Sequence, residues 1–466
     1  MTPAAWGMAE HCGRDTTLRG RRLVHNGLWG EYSPSPSRRL TKHDHMNSLL
    51  LMIAIAIAVR SFAASRLDRW NLGAPVVIVA AGVVIGLVNE QSITIALNTQ
   101  AMLYVAEIVL AVLLFVDATE VRGGRLWGSS PGLAARVLLI AMPLSLVAAM
   151  LLGWWLFPSL PWPVLLLLAG VVVPIDFAPA ERVVRDRGLS SRVRTVLNVE
   201  SGYNDGIISP LFLFALILAG DHTQERTPLS ALATVLPFAL KALIAGLVLG
   251  TALALLLTAA HRAGWLTEQS GRIVVLLVPL LTYTATVAID GNGFVASFVC
   301  GIVFRYVHRR AKAHRIRHSP QGRNLLRGGK LHDDFRLLED FTTLLTMTLW
   351  FVVGITAVVA FSDGLPWQVA LFSIAALTVV RVLPVALSLA GSELSQRERL
   401  QVGVLGPRGT TSIVFGLLAF NRLPEGPSAD TILLVTVTVV FGSVVLHGIG
   451  AGPTVKWLAP AKPARR

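Results

Sequence analysis

The sequence consists of long apolar stretches separated by short polar connections over most of its length. The stretches run for about 18–25 residues, enough for an α-helix to cross a hydrocarbon core of roughly 30 Å. Lipid cannot hydrogen-bond exposed backbone groups, and the stretches lack the alternation of a lipid-facing β-barrel, so the pattern predicts helices. Thirteen spans are predicted, at residues 47–64, 74–88, 100–117, 133–156, 163–178, 195–219, 230–259, 272–289, 293–308, 341–361, 367–391, 401–420 and 431–450.

The composition agrees with this pattern. Of 466 residues, 53% are hydrophobic and only 15% are charged, and the mean hydropathy is +0.63. Soluble domains contain about 25% charged residues. The predicted fold class is therefore an all-α integral membrane protein with about thirteen transmembrane helices.

Basic residues give the chain a net charge of +14, but they lie in short connections, which argues against nucleic-acid binding. They cluster after the third, fifth, ninth, eleventh and thirteenth spans, whereas the connections after the second, fourth, eighth and tenth contain none. Basic connections face the cytoplasm. We therefore expect a multi-pass protein of the cell (inner) membrane whose C-terminus is cytoplasmic and whose N-terminus lies outside.

Two polar ends flank the predicted transmembrane domain, residues 46–455. Residues 1–45 are basic, yet this topology places them outside, and they lack the apolar core of a signal peptide. Our hypothesis is that translation starts at Met46 and that the leader is not part of the native chain or is disordered. Residues 456–466 are predicted to form a cytoplasmic basic tail.

An Arg-rich segment, at about residues 309–336, follows the ninth span. Four histidines lie in this segment or directly before it: His308, His314, His318 and His332. We interpret it as a cytoplasmic linker near anionic lipid, with pH sensing or metal binding as alternatives. The two cysteines, Cys12 and Cys300, lie in different environments, so neither a structural disulfide nor a metal cluster is expected.

Charged residues inside a membrane span are costly and indicate function. In the fifth span, Asp176 lies between Pro174 and Pro179. Proline breaks a helix, and a broken helix at membrane depth persists only where it lines a cavity or is buried in protein. The alternative is that the span ends near Pro174 and Asp176 caps the interface. Glu107, deep in the third span, has no partner that the sequence identifies.

The sixth span contains two carboxylates, in Glu200-Ser201-Gly-Tyr-Asn204-Asp205. Ser201 and Asp205 are four residues apart and share a helix face, whereas Glu200 lies about 140° away from Asp205. Asp205 is therefore expected to face a cavity with Ser201, and Glu200 to face another helix. Arg381, central in the eleventh span, is the candidate cation for a structural ion pair with Glu200.

The twelfth span begins with a second interruption, Gly406-Pro407-Arg408-Gly409. The two interrupted spans are seven apart, as they would be in two inverted six-helix repeats joined by a seventh helix. Broken helices at matching positions of inverted repeats mark the midplane binding site of secondary transporters. Arg408 is predicted to balance the helix-end dipoles where the two broken helices cross.

These motifs resemble those of monovalent cation:proton antiporters of the NhaP-like branch, relatives of the animal sodium/proton exchangers. The resemblance rests on Glu200-Ser201-x-x-Asn204-Asp205, on Asp176 and Arg381, and on Gly406-Pro407-Arg408-Gly409. The resemblance implies a homodimer of thirteen-helix subunits, each with an interface domain and a mobile core domain. It also implies that Asp205 binds the ion or the proton, that Asp176 lies in an unwound crossover, and that exchange is electroneutral because Asn204 precedes Asp205. The family usually has threonine where this chain has Ile175.

The mechanism that follows is competition at Asp205 between a proton and Na⁺, K⁺ or Li⁺. The expected cation ligands are Asp205, Asp176, Ser201 and freed backbone carbonyls, and the domain switches only when Asp205 is neutralised. Such ion transport would serve pH homeostasis and needs neither ATP nor a cofactor. Alternatives are transport of another solute on the same fold, such as an organic anion, a passive cation channel, and an intramembrane aspartyl protease.

Overall fold

A computed structural model describes residues 42–70, 72–88, 100–120, 130–177, 189–220, 228–318 and 333–449. All regular elements among these residues are helical. The helices of the first half are α1 (Lys42–Phe62), α2 (Ala64–Arg69), α3 (Ala74–Val88), α4 (Gln100–Glu120), α5 (Pro131–Leu156), α6 (Trp162–Val172) and α7 (Ser191–Gly220). Those of the second half are α8 (Pro228–Arg262), α9 (Glu268–Ala288), α10 (Gly293–His318), α11 (Arg336–Ala360), α12 (Trp367–Leu377), α13 (Val379–Ser388), α14 (Gln396–Val404), α15 (Thr410–Arg422) and α16 (Pro427–Ser443).

In this described part, seven helical stretches are long and apolar enough to cross a membrane. They are Pro131–Leu156, Ser191–Gly220, Val235–Arg262, Glu268–Ala288, Arg336–Ala360, Trp367–Ser388 and Pro427–Gly448. Each of the thirteen predicted ranges overlaps a helix, which confirms the all-helical class for the residues described. The number of thirteen spans and the inverted repeat remain predictions.

Three helices are interrupted inside apolar sequence. α6 stops at Val172, and residues 173–177 are not helical; α14 stops at Val404, and residues 405–409 are not helical. Both interruptions contain a proline, which cannot donate a backbone hydrogen bond. A third break, which the sequence analysis did not predict, lies at Thr378 between α12 and α13, where φ is −121° and ψ is −91°.

The ninth predicted span continues as a helix well beyond residue 308. α10 extends to His318 because its basic segment contains alanine, arginine and lysine, which favour helix. The predicted linker at 309–336 is therefore wrong for its first ten residues, and residues 319–332 lie outside the described part. His308 does not belong to a linker, since its buried ring stacks on Phe304 and lies 3.2 Å from the Asp334 carboxylate.

The first turn of α14 carries a capping box. Ser395 accepts a hydrogen bond from the Glu398 backbone, and the Glu398 carboxylate accepts one from the Ser395 backbone at 2.9 Å. Partial burial raises the pKa of Glu398, but hydrogen bonds from Ser190 and Ser395 and the charge of Arg192 outweigh it, so this pKa is lowered. The box fixes where the second interrupted helix begins.

The helices of Lys42–Ile449 form two packed groups. One contains α5–α7 and α12–α16, and therefore both of the interrupted helices α6 and α14; the other contains α1, α3, α4 and α8–α11. α7 and α15 lie at the boundary, where both pack against α4, and α11 packs against α16 across the same boundary. Of the predicted leader, residues 1–41 lie outside the described part and residues 42–45 begin α1; the basic tail also lies outside it.

Candidate functional site

The interruption after α6 and the interruption after α14 contact each other directly. The Asp176 amide donates a hydrogen bond to the Pro407 carbonyl at 2.9 Å. The Arg408 guanidinium donates to the carbonyls of Val173 and Pro174, the latter at 2.8 Å. Carbonyls at a helix end have no partner within the helix. Each broken segment therefore satisfies backbone groups that the other leaves unpaired.

Arg408 is the central cation of this crossing. Its side chain is buried and also lies 3.3 Å from the carbonyl of Ala376, in the last turn of α12. Carbonyl ends of helices carry partial negative charge, so a guanidinium placed between the ends of α6 and α12 is stabilised there. The balancing of helix-end dipoles by Arg408 stays a prediction.

A histidine that the sequence analysis overlooked holds the second interruption from the side. Nε2 of His447 lies 3.0 Å from the Val404 carbonyl, and Nδ1 lies 3.4 Å from the Ser443 hydroxyl. The same hydroxyl accepts a hydrogen bond from the Arg408 amide at 2.6 Å. With Nε2 as the donor, the Ser443 hydroxyl donates to Nδ1 and every proton has a partner. His447 and Ser443 therefore link the two ends of the break. A buried histidine in an apolar span was the available signal.

Asp176 lies against the start of α15. Its carboxylate accepts hydrogen bonds from the Thr410 amide, at 2.6 Å, and from the Thr410 hydroxyl. Free amides at a helix N-terminus favour an anion. A Cβ added to Gly409 would overlap the Asp176 carboxylate, so glycine is needed there for this approach. Asp176 therefore contacts the second interruption through its backbone and the start of α15 through its side chain.

Asp205 is 2% exposed and faces the same crossing from α7. Its Oδ2 accepts a hydrogen bond from the Thr411 hydroxyl at 2.6 Å, while its buried Oδ1 has no hydrogen-bond partner among the described residues. The side-chain amide of the neighbouring Asn204 donates a hydrogen bond to the Ile175 carbonyl at 2.8 Å, which connects α7 to the first interruption. Ser201, one turn before Asp205, is half-buried.

Glu200 and Arg381 form the contact that the helical spacing predicted. The guanidinium donates to both carboxylate oxygens, at 2.7 and 3.0 Å, and also to the Val402 carbonyl at 3.0 Å. These three residues come from α7, α13 and α14. The backbone of Gly406 lies so close to the Arg381 side chain that a Cβ at this position would overlap that side chain. The pair fastens the second interruption to the helix that carries Asp205.

Glu107 also has partners that the sequence did not reveal. Its carboxylate accepts hydrogen bonds from the Tyr283 hydroxyl at 3.0 Å and from Arg422 at 2.5 Å. These residues lie on α4, on α9 and at the last position of α15. Nothing local in the sequence links Arg422 to α4. The contact joins the two helix groups.

The site thus gathers hard oxygen ligands in a buried crossing of broken helices. Two carboxylates, Asp176 and Asp205, approach the same two-residue segment, Thr410–Thr411. The described residues contain no cluster of three or more His, Cys, Asp or Glu side chains suited to a resident metal ion. The arrangement favours reversible binding of a proton or a small cation over covalent chemistry.

Comparison with known proteins gives a consistent result. Residues 50–457 match the family model described as sodium/hydrogen exchanger, transmembrane. A K⁺/H⁺ antiporter NhaP2 of Shewanella sp. (strain MR-4) is 26% identical over 87% of this chain, and the chain spans 66% of that relative's length. A Na⁺/H⁺ antiporter of Schizosaccharomyces pombe is 26% identical over 76% of this chain and 77% of its own length.

A solved structure shares the fold. The sodium proton antiporter MjNhaP1 from Methanocaldococcus jannaschii, at pH 8, superimposes with a TM-score of 0.67 over 90% of this chain and 100% of its own, at 19% identity. The likeness extends to nearly all of the described helices. Since the family match covers most of the chain, this multi-pass membrane protein belongs to the sodium/hydrogen exchanger family.

Proposed function

We propose that this protein is a secondary active transporter that exchanges a monovalent cation for H⁺ across the membrane by competition at Asp205. The proposal rests on the burial, the position and the hydrogen bonding of that carboxylate. It is 2% exposed, it lies at the crossing of two interrupted helices, and one of its oxygens has no hydrogen-bond partner among the described residues. A buried carboxylate in this position needs a proton or a cation.

Electrostatics then couple the two ions. An ionised carboxylate in a membrane interior is strongly disfavoured, whereas a protonated or cation-bound one is not. The helices that carry Asp205 can therefore change sides only when it is neutralised. A proton and a cation satisfy the same oxygen, so each bound ion excludes the other. Competition together with this restriction yields antiport without ATP or a cofactor.

We propose that the other predicted residues contribute as follows. Asp176 and Ser201 complete the oxygen environment, and Asn204 positions the Ile175 carbonyl and its interruption. Glu200 and Arg381 hold the second interruption, while Arg408 neutralises the helix ends of the crossing. The segment Gly406–Gly409 allows the close approach of the chains. One carboxylate that trades one proton for one monovalent cation moves no net charge.

The substrates follow from the relatives, which are named as K⁺/H⁺ and Na⁺/H⁺ antiporters. We infer that the cation is Na⁺ or K⁺, with Li⁺ as a smaller analogue. We infer further that the protein works as a homodimer in the cell (inner) membrane, surrounded by lipid, with its C-terminus cytoplasmic, its N-terminus outside if the chain starts at Met46, and a role in pH homeostasis.

The test is an exchange assay on the purified full chain in proteoliposomes with an acidic lumen and a trapped pH-sensitive dye. The wild type should dissipate the pH gradient when NaCl or KCl is added outside, and a clamped membrane potential should not change the rate. Asp205→Asn removes the titratable group at constant size and should abolish exchange. The matched control is Asp290→Asn, at an exposed turn with φ of 54°, a conformation that asparagine adopts as readily as aspartate.

The competing functions predict other results. A passive channel would give cation flux that does not saturate and does not move protons against their gradient. A transporter of another solute would leave the gradient intact with every alkali cation. If a folded Asp205→Asn protein still exchanges cations for protons at the wild-type rate, the assignment of Asp205 is wrong.

A further inference from the structure

The backbone carbonyls around the crossing are largely occupied. The Ile175 carbonyl accepts from Asn204, the carbonyls of Val173 and Pro174 accept from Arg408, and the Pro407 carbonyl accepts from the Asp176 amide. Carbonyls beside the Arg408 charge are also poor ligands for a second cation. Four of the carbonyls at the crossing thus already accept a hydrogen bond, which favours side-chain oxygens as further ligands of the cation.

Two threonine hydroxyls at the start of α15 are oriented unlike the other buried threonines. Buried threonines elsewhere in the described helices donate their hydroxyl to the carbonyl three or four residues earlier, as do Thr119, Thr258, Thr282, Thr286, Thr342, Thr356 and Thr436. Thr410 and Thr411 instead donate to the carboxylates of Asp176 and Asp205. The residues four positions earlier are in the interruption, so helical carbonyls do not compete for these hydroxyls.

A threonine hydroxyl in this position can serve a carboxylate and a cation together. It has one proton to donate and two lone pairs to offer. Thr411 gives its proton to Oδ2 of Asp205 at 2.6 Å, which leaves the lone pairs of the hydroxyl available, and Oδ1 of the same carboxylate has no hydrogen-bond partner among the described residues. The Thr410 hydroxyl stands in the same relation to Asp176. Both hydroxyls thus extend the carboxylates into a set of hard oxygen ligands.

We propose that Thr411, assisted by Thr410, is a direct ligand of the transported cation and sets the preference among alkali cations. This inference rests on the proposed function, since it names ligands of the same site. The attraction between a cation and an oxygen dipole grows as the two approach, so a small cation gains more from one additional oxygen ligand than a large cation does. Loss of the Thr411 oxygen therefore weakens the binding of Na⁺ and Li⁺ more than the binding of K⁺.

The experiment measures apparent KM for Na⁺, Li⁺ and K⁺ in proteoliposomes, together with the pH profile. Thr411→Val keeps the shape of the side chain and removes the hydroxyl. It should raise KM for Na⁺ and Li⁺ by roughly tenfold, the size of one lost contact to a charged group, and raise KM for K⁺ less. Thr411→Ser should keep the wild-type order. Thr410→Val should act in the same direction but less, because the backbone amide still binds Asp176.

The matched control is Thr356→Val, which removes an equally buried hydroxyl bonded within its own helix α11. It should leave all three KM values unchanged. If Thr411→Val does not fold, Thr411→Ala and the serine variant still separate a lost hydroxyl from a lost methyl group.

Two results would overturn the inference. One is a folded Thr411→Val protein with wild-type KM values. The other is an equal change for all three cations accompanied by a displaced pH profile, which would mean that Thr411 only tunes the proton affinity of Asp205. Neither result affects the proposed antiport, which fails separately if the wild type shows no cation-driven proton flux.

Discussion

Removal of one charge from the Glu200–Arg381 pair should destabilise the protein strongly. Both side chains are almost fully buried, at 6% and 5% exposure, and the guanidinium donates to both carboxylate oxygens. Glu200→Gln keeps the volume but leaves a buried cation that retains a carbonyl contact with Val402 as its other partner. Loss of one member of a buried pair costs about 3–5 kcal/mol. The folding equilibrium should therefore shift between about a hundredfold and a few thousandfold.

A double-mutant cycle in detergent micelles measures this effect through the free energy of unfolding. Arg381→Met added to Glu200→Gln removes the uncompensated cation, so the double variant should be more stable than the sum of the two losses predicts. The matched control is Glu393→Gln in the exposed pair with Arg192. These side chains are 3.9 Å apart, Glu393 is 81% and Arg192 53% exposed, and the change should alter stability by less than about 1 kcal/mol. Additive effects in the cycle, or a Glu200→Gln loss as small as the control, would refute a structural ion pair.

Three further changes test neighbouring features. Gly409→Ala places a methyl group into the Asp176 carboxylate and should abolish exchange in proteoliposomes, whereas serine at an open position such as Gly132 should not. Glu107→Gln leaves Arg422 unpaired at 50% exposure, so the charge can reach water and stability should fall by less than about 2 kcal/mol, measured by chemical unfolding. Glu398 has a lowered pKa, so its stabilisation of α14 is present above the ordinary value of 4.5 and is lost as the pH falls through the lower folded value; amide exchange in that turn should accelerate only there.

The local sequence pattern was sufficient to predict the helices and one long-range contact. Apolar runs place the helices because the requirement for internal hydrogen bonds leaves a membrane segment few other choices. The pairing of Glu200 with Arg381 could be predicted because two buried charges of opposite sign each needed a partner. The two interruptions could also be predicted, because each contains a proline. The break at Thr378 has no such mark, since proline and glycine are both absent there.

The ligand environment was harder to predict because it depends on which helices cross. Periodicity assigns Asp205 to a face of α7, but it does not reveal that the start of α15 lies opposite that face. Thr410 and Thr411 read as ordinary members of an apolar span until the crossing places their hydroxyls on two carboxylates. The same reason hid Arg422 as the partner of Glu107.

α15 connects these observations physically. Its first two residues contact Asp176 and Asp205, and its last residue, Arg422, contacts Glu107 on the other helix group. Thirteen helical residues span about 20 Å at 1.5 Å per residue, so one rigid element reaches from the carboxylates to the group boundary. Any movement of the crossing relative to α4 must therefore stretch or break the Glu107–Arg422 contact. Because Arg422 is half-exposed, water can replace that contact at small cost, whereas loss of one member of the buried Glu200–Arg381 pair costs far more.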